Sequence, residues 1–279
     1  MSTRGLTPEQ IERLRKIRCW LLDMDGTVSL GEEALPGADS FFKSLNGSDY
    51  IFLTNNSSHS AEHYVRRLGN MGIRATRREV ITSTDALAAF LLRTTPDKRR
   101  VRAYAVGTPG FAADLTAAGF ELVSDREQDI DFVLLGFDTT LTYEKLDIAC
   151  DYIRRGVPYY AANPDRVCPL ADGRVLPDCG ALTAFMETCT SQAPRRVIGK
   201  PDPAMAEMVM ASRGYLPADL AMVGDRLYTD IEFARRAGIL GIAVLSGETS
   251  PREIEASETK PDLIFRDIGE LADCLTKLT

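Results

Sequence analysis

A chain of 279 residues with 44% hydrophobic side chains buries a substantial core and is long for one domain, so one large or two modest globular domains are expected. Its net charge of −7 argues against a nucleic-acid partner held through its phosphates, and any anionic ligand must be won by local positive charge. No apolar stretch approaches the ~20 residues needed to cross a bilayer, and residues 1–18 are too polar for a signal segment, so a cytoplasmic protein without a membrane partner is expected.

Thr7-Pro8-Glu9-Gln10 reads as the capped start of a helix. It leads into Cys19–Leu22, a continuously apolar run of strand length that ends at the polar turn Asp23-Met24-Asp25-Gly26-Thr27. Residues 28–37 show no sustained period. A helix over 38–45 precedes a strand over 50–53 that ends at Thr54. Ser60 caps a helix running to 70 or 71 and stopped by Gly72, and Thr76-Arg77-Arg78-Glu79 is a capping box. A helix over 85–92 is interrupted at 94–98, and a fresh strand–helix alternation begins at Val101. Strands are expected at 101–107, 121–123, 132–136 and 158–162, with helices at 111–118 and 143–155. After a long loop over 163–180 come helices at 181–190 and 202–212. The strand 221–224 ends at Gly224-Asp225, a helix spans 230–237, and strands at 240–245 and 262–265 close the chain.

Three apolar runs therefore end in polar residues at Asp23, Thr54 and Asp225. In an open α/β sheet, strands ending together place Asp23, Asp25, Thr54, Asp225 and Asp230 at one edge, with Lys200 of Gly199-Lys200-Pro201 reaching in from a loop. Gly26 lets the backbone curl so that amide N–H groups face one anion. Each residue also has a plain reading: Asp23 and Asp25 in an Asx-rich turn, Thr54 and Asn55 capping a helix, Lys200 at the surface, Asp225 and Asp230 as turn and cap residues. The six cysteines are scattered without a Cys-x-x-Cys pair, and reduced thiols are expected. His59 and His63 lie far in sequence from Cys168 and Cys179, so a zinc site is not. Paired arginines such as Arg66-Arg67 fall late in predicted helices and read as solvated helix ends.

The blocks Asp23-Met24-Asp25-Gly26-Thr27, Thr54-Asn55-Asn56-Ser57, Gly199-Lys200-Pro201 and Gly224-Asp225-Arg226-Leu227-Tyr228-Thr229-Asp230, in this order, resemble the haloacid dehalogenase (HAD) superfamily, and within it the class IIA, NagD-like or 4-nitrophenylphosphatase-like branch. The resemblance implies an α/β fold, a doubly wound, mainly parallel HAD-like Rossmannoid sheet with an inserted α/β cap. It puts the core at residues 1–83 and 179–279 and the cap at 84–178. It further implies a phosphomonoesterase acting on a small phosphorylated metabolite such as a sugar phosphate, phosphoglycolate or nucleotide monophosphate. In that reading Asp23 is the nucleophile that carries an aspartyl-phosphate, and Asp25 is the general acid and base.

The implied cofactor is Mg2+, held by the Asp23 side chain, the Asp25 backbone carbonyl and Asp225, with Asp230 orienting a metal water or Lys200. Oxygen-only ligands in an acidic setting suit such a hard cation. Thr54 and the backbone N–H of Asn55 are implied to hold phosphate oxygens, and Lys200 to balance their charge. Asn163 and Asp165 match the branch's Asn-x-Asp turn at the cap entrance and are candidates for substrate selection. Asp178 stands where relatives carry a small Gly-rich turn, a departure from the pattern. A phosphotransferase on the same core and a non-catalytic phospho-accepting regulator are the alternatives. Asp25 and Lys200 both argue against the regulator, because a switch needs a long-lived phosphoenzyme and this pair should shorten its life. A monomer or homodimer is expected.

Overall fold

The apolar run Cys19–Leu22 is a four-residue strand, fully buried, in the computed structural model of the chain, which describes residues 6–95, 100–127, 129–170 and 173–278. The helix before it, Pro8–Lys16, starts where its capping chemistry dictates: Thr7 Oγ1 accepts the Gln10 N–H, and the Gln10 side chain accepts the Thr7 N–H. The chain forms two compact units. One comprises Met1–Leu53, Val65–Ile81 and Met205–Thr279, the other Thr54–Tyr64 and Thr82–Ala204.

The first unit is built on a six-stranded sheet in the order Leu263–Phe265, Leu240–Val244, Leu220–Gly224, Cys19–Leu22, Asp49–Thr54, Val80–Thr82. Cys19–Leu22 pairs in parallel with both neighbours, which puts Leu22 beside Val223 on one side and Phe52 on the other. The chain starts in the middle of this sheet, winds outward through Asp49–Thr54 to Val80–Thr82, and later returns to fill the other half. The reversal lies between Cys19–Leu22 and Leu220–Gly224. In an open α/β sheet that switch point, at the carboxyl ends of the strands, is where the crevice opens. Leu21, Leu22, Ile51, Phe52, Met222 and Val223 are all without exposed surface, each burial contributing roughly 1.5–3 kcal/mol. Trp20 meets the Phe41 ring edge-on at 5.6 Å, so its role is in the core, as the sequence suggests.

Residues 28–37 form more than an irregular segment: Ser29–Leu30 and Glu33–Ala34 pair antiparallel around a turn at Gly31, whose φ is +57°. Two-residue strands are too short for any period to show.

The second unit holds a five-stranded sheet in the order Arg196–Val197, Tyr159–Ala161, Phe132–Leu135, Val101–Val106, Phe120–Val123, with parallel pairings throughout. Tyr104, Val106, Leu135, Tyr152 and Met186 belong to its core. Residues 179–204, expected with the first sheet, are found in this unit, and the reason is packing. Cys179, Leu182 and Met186 of the helix Cys179–Thr190 join that same core, and Arg196 pairs with Tyr160. Residues 54–64 are also here, tied by the Ser57 hydroxyl accepting the Phe137 N–H at 2.8 Å and by Thr108 Oγ1 donating to the Ser58 carbonyl at 2.7 Å. The expected loop 163–180 contains a hairpin, Val167–Pro169 with Val175–Pro177. Of the expected break at 94–98, Thr94 ends the helix Ser83–Thr94, while 96–98 lie outside the described residues, as do residues 1–5 of the expected core. All six cysteines are free thiols. Among the described residues no helix is long and apolar enough to cross a membrane.

Candidate active site

Because Leu22 is level with Val223, Asp23 leaves its strand beside Gly224, and Asp225 follows one residue later. Both carboxylates thus emerge at the switch point. The strand Leu220–Gly224 is followed by a wide helical turn, Leu227–Ile231, which carries Asp230 back toward the strand end. Local bonds close that turn: the Asp230 carboxylate accepts the Arg226 N–H at 3.1 Å, and the Asp230 N–H donates to the Arg226 carbonyl at 3.0 Å. Asp23, Asp225 and Asp230 each offer a carboxylate oxygen, and these oxygens lie within 4.8 Å of one another.

Asp225 and Asp230 are buried, and Asp23 is half-buried. Like charges this close need a counter-charge. Arg226 supplies part of it: burial opposes its charge, yet Tyr228, Asp225, Asp23 and Glu248 around it raise its pKa above the usual arginine range. Its Nε lies 2.9 Å from Glu248. Glycines make the room. A Cβ on Gly26, which has a φ of +88°, or on Gly247 would overlap the Asp225 carboxylate, and one on Gly224 would overlap Asp230. The Asp225 carboxylate also accepts the Glu248 N–H at 2.7 Å, so its orientation is set by backbone.

Asp25 is not among these three carboxylates. Its carboxylate takes Arg67 Nη2 at 2.6 Å and Nη1 at 3.4 Å, a two-pronged ion pair. The same guanidinium donates from Nε to the Gly31 carbonyl at 3.1 Å and lies 3.4 Å from Glu32. Arg67 is in the last turn of the helix Ala61–Asn70 and its side chain is only 10% exposed, so it is not the solvated helix end that its sequence position suggests. No motif or spacing marks it, because the contact joins elements 42 residues apart.

The other candidates are brought together in the second unit. Thr54, 8% exposed, ends its strand, and its hydroxyl accepts the Asn56 N–H at 3.1 Å. Asn55 and Lys200 are joined reciprocally: the Asn55 side chain accepts the Lys200 N–H at 2.7 Å and donates to the Lys200 carbonyl at 2.9 Å. Lys200 is 3% exposed. Gly199, φ +77°, has no space for a Cβ beside Asn55 and Asn163. Asn163 donates to the Asn55 carbonyl at 2.8 Å, and Asn55 reaches Asp165 at 3.4 Å. Thus Asn55, Lys200, Asn163 and Asp165 are one hydrogen-bonded group. Asp178 lies at its edge as the cap of the helix Cys179–Thr190, its carboxylate accepting the Cys179 N–H at 2.5 Å. Burial pushes the Asp178 carboxyl up to about 7, the Cys179 and Asn163 bonds opposing that rise and the charge of Asp165 adding to it.

The sequence pattern of the haloacid dehalogenase-like hydrolases matches residues 20–121, and a second, HAD-hydrolase-like pattern matches 197–271. An acid sugar phosphatase of Staphylococcus haemolyticus is 33% identical over 258 residues, 92% of this chain and 95% of that protein. The chain belongs to the haloacid dehalogenase-like hydrolases. Among solved structures of the family, a 4-nitrophenylphosphatase from Thermotoga maritima superposes with a TM-score of 0.88 at 41% identity, covering 94% of this chain and 99% of that one. A glycerol phosphate phosphatase from Mycobacterium tuberculosis, solved in complex with magnesium, gives 0.86 at 33% identity over 92% of this chain and 78% of its own. Within the haloacid dehalogenase-like hydrolases the chain falls in the branch of NagD and the 4-nitrophenylphosphatases, whose members hydrolyse phosphate monoesters.

Proposed function

We propose that this enzyme hydrolyses monoesters of small phosphorylated metabolites, with sugar and polyol phosphates first among them, through an aspartyl-phosphate on Asp23. The observation that carries the reading is the group of three carboxylates, Asp23, Asp225 and Asp230, at the switch point of the first sheet. The names of the acid sugar phosphatase and the glycerol phosphate phosphatase support the substrate class.

The donor set fits a hard divalent cation, because every available ligand is oxygen and the carboxylates lie close enough to share one ion. Asp23, Asp225 and the Asp25 carbonyl would hold Mg2+, with Asp230 beside them. A cation there offsets the negative charge that Asp23 and the phosphoryl oxygens bring together. Asp23, half-buried at the strand end, attacks phosphorus, so the new bond joins a carboxylate oxygen to phosphorus while the ester P–O bond breaks. Asp25 gives its proton to the departing oxygen, then takes a proton from the water that hydrolyses the acyl phosphate, which restores both carboxyls. Thr54 and the Asn55 N–H bind non-bridging oxygens, and Lys200 balances their charge. The role we assign to residues 84–178 is that of a cap, in which Asn163 and Asp165 select the leaving group.

Phosphate release from 4-nitrophenyl phosphate with and without Mg2+ tests the reading. Turnover that requires the cation and is lost with EDTA is expected. Absence of phosphate release from any monoester in a folded, Mg2+-supplied protein would contradict it.

A further inference from the structure

Arg67 joins three points that no motif connects: the carboxylate of Asp25, the carbonyl of Gly31, and Glu32. Asp25 lies at the base of the Ser29–Leu30/Glu33–Ala34 hairpin, where it bridges to Ser29, and Gly31 and Glu32 form the hairpin's turn. One guanidinium therefore grips both ends of a small, otherwise weakly held element. A pair of two-residue strands has little stability of its own. We propose that Arg67 is a positioning residue, which fixes the direction of the Asp25 carboxyl and locks the hairpin to it.

The chemistry of the side chains supports the assignment. A guanidinium presents parallel donors in a rigid fork, so it sets the plane of a carboxylate as well as its place, which a lysine ammonium cannot do. An ordinary exposed ion pair adds little to stability and orders little. This one differs because the arginine is enclosed, 10% exposed, while its partner Asp25 stays 54% exposed, open to solvent on the side that Arg67 does not cover. The buried partner is the fixed point and the open one is what it aims. The plain reading, an arginine placed late in a helix to suit its dipole, explains neither the enclosure nor the fork.

The inference rests on the reading of Asp25 as the proton donor. The step needs Asp25 to have taken a proton from water on Oδ2, the oxygen that Arg67 holds less closely, at 3.4 Å against 2.6 Å for Oδ1; when the ester bond breaks, that O–H bond breaks with it, the proton moves to the leaving oxygen, and the carboxylate returns to the guanidinium. The need for that proton depends on the leaving group. A 4-nitrophenolate departs readily without it, whereas an alkoxide does not, so misdirecting Asp25 harms alkyl esters selectively.

The experiment compares kcat and KM for 4-nitrophenyl phosphate and for glycerol phosphate in wild type, Arg67→Met, Arg67→Lys, Asp25→Asn and the Arg67→Met/Asp25→Asn double variant, with thermal unfolding of each. For Arg67→Met the expected loss of kcat is about 10–100-fold greater on glycerol phosphate than on the aryl ester, with KM changed less than about threefold. Arg67→Lys should recover part of that loss and carries the same test if the methionine variant does not fold. In the Asp25→Asn background Arg67→Met should cost less than about threefold, because the group it aims is gone. Equal losses on both esters, or an undiminished cost in the Asp25→Asn background, would overturn the proposal. If Asp25→Asn itself fails to discriminate between the esters, it is the acid role of Asp25 that falls.

Discussion

The acidic group of the first unit and the hydrogen-bonded group of the second are built on opposite principles. Asp23, Asp225 and Asp230 come from two adjacent strand ends, repel one another, and are kept together by backbone donors, by Arg226 and by glycines that leave no side chain in the way. Asn55, Lys200, Asn163 and Asp165 come from three separated stretches and hold one another directly, amide to backbone, with a single cation among them. The first arrangement gathers carboxylate oxygens in one place, which suits a site that attracts a cation. The second holds the backbone of Lys200 on both sides through Asn55, which suits a site that presents a lysine from a fixed main chain.

Breaking the first group should have the larger effect. Asp23→Asn keeps the shape of the side chain but removes the attacking oxygen's charge, so kcat on 4-nitrophenyl phosphate should fall by roughly 10³–10⁶ while the unfolding temperature holds. Lys200→Met, in contrast, should raise KM by about 10–100-fold as well as lowering kcat, since the charge it supplies is felt by bound substrate and transition state alike. A pure kcat defect would reassign it. Gly247→Ala pushes a methyl into the Asp225 carboxylate, and we expect Mg2+ affinity measured by calorimetry to weaken about tenfold, with the sheet intact. An unchanged affinity would show that Asp225 is not a ligand.

The smallest effect concerns the second group's edge and is read in stability rather than rate. Asp178 has its carboxyl raised from 3.8 to about 7 by burial, so the folded chain keeps a proton there that the unfolded chain releases near pH 4. The stability this confers is full below about pH 4 and is lost as pH rises through about 7. Asp178→Asn carries no such titration. Urea denaturation between pH 4.5 and 7.5 should therefore show the variant gaining on wild type as pH rises, by roughly 2–4 kcal/mol across the window. Parallel pH profiles would place the charge of Asp178 in a solvated setting.

How much of this was visible in the sequence follows the same divide. Cys19–Leu22 and Leu220–Gly224 are continuous apolar runs closed by Asp and Gly, and local composition is enough to place Asp23 and Asp225 at strand ends. Capping boxes at Thr7 and Thr76 were equally local. The Ser29–Leu30/Glu33–Ala34 hairpin and the strand Arg196–Val197 are too short to carry a period. The membership of 179–204 in the second unit depends on which core Met186 and Leu182 enter, and that of 54–64 on hydrogen bonds joining Ser57 and Ser58 to Phe137 and Thr108, neither of which periodicity reports. Arg67 is the sharpest case. Its neighbours in sequence are those of any amphipathic helix, and only the fold reveals that it meets Asp25.

The central claim is that Asp23 carries the phosphoryl group and Asp25 governs its transfer. Acid quenching of the Asp25→Asn variant during turnover of a phosphate-labelled aryl ester, followed by peptide mass spectrometry, measures this directly. We expect a hydroxylamine-sensitive phosphoryl label on the peptide containing Asp23, absent from Asp23→Asn. Turnover by the wild type with no label on that peptide under any quench, or a label on a different residue, would contradict the account.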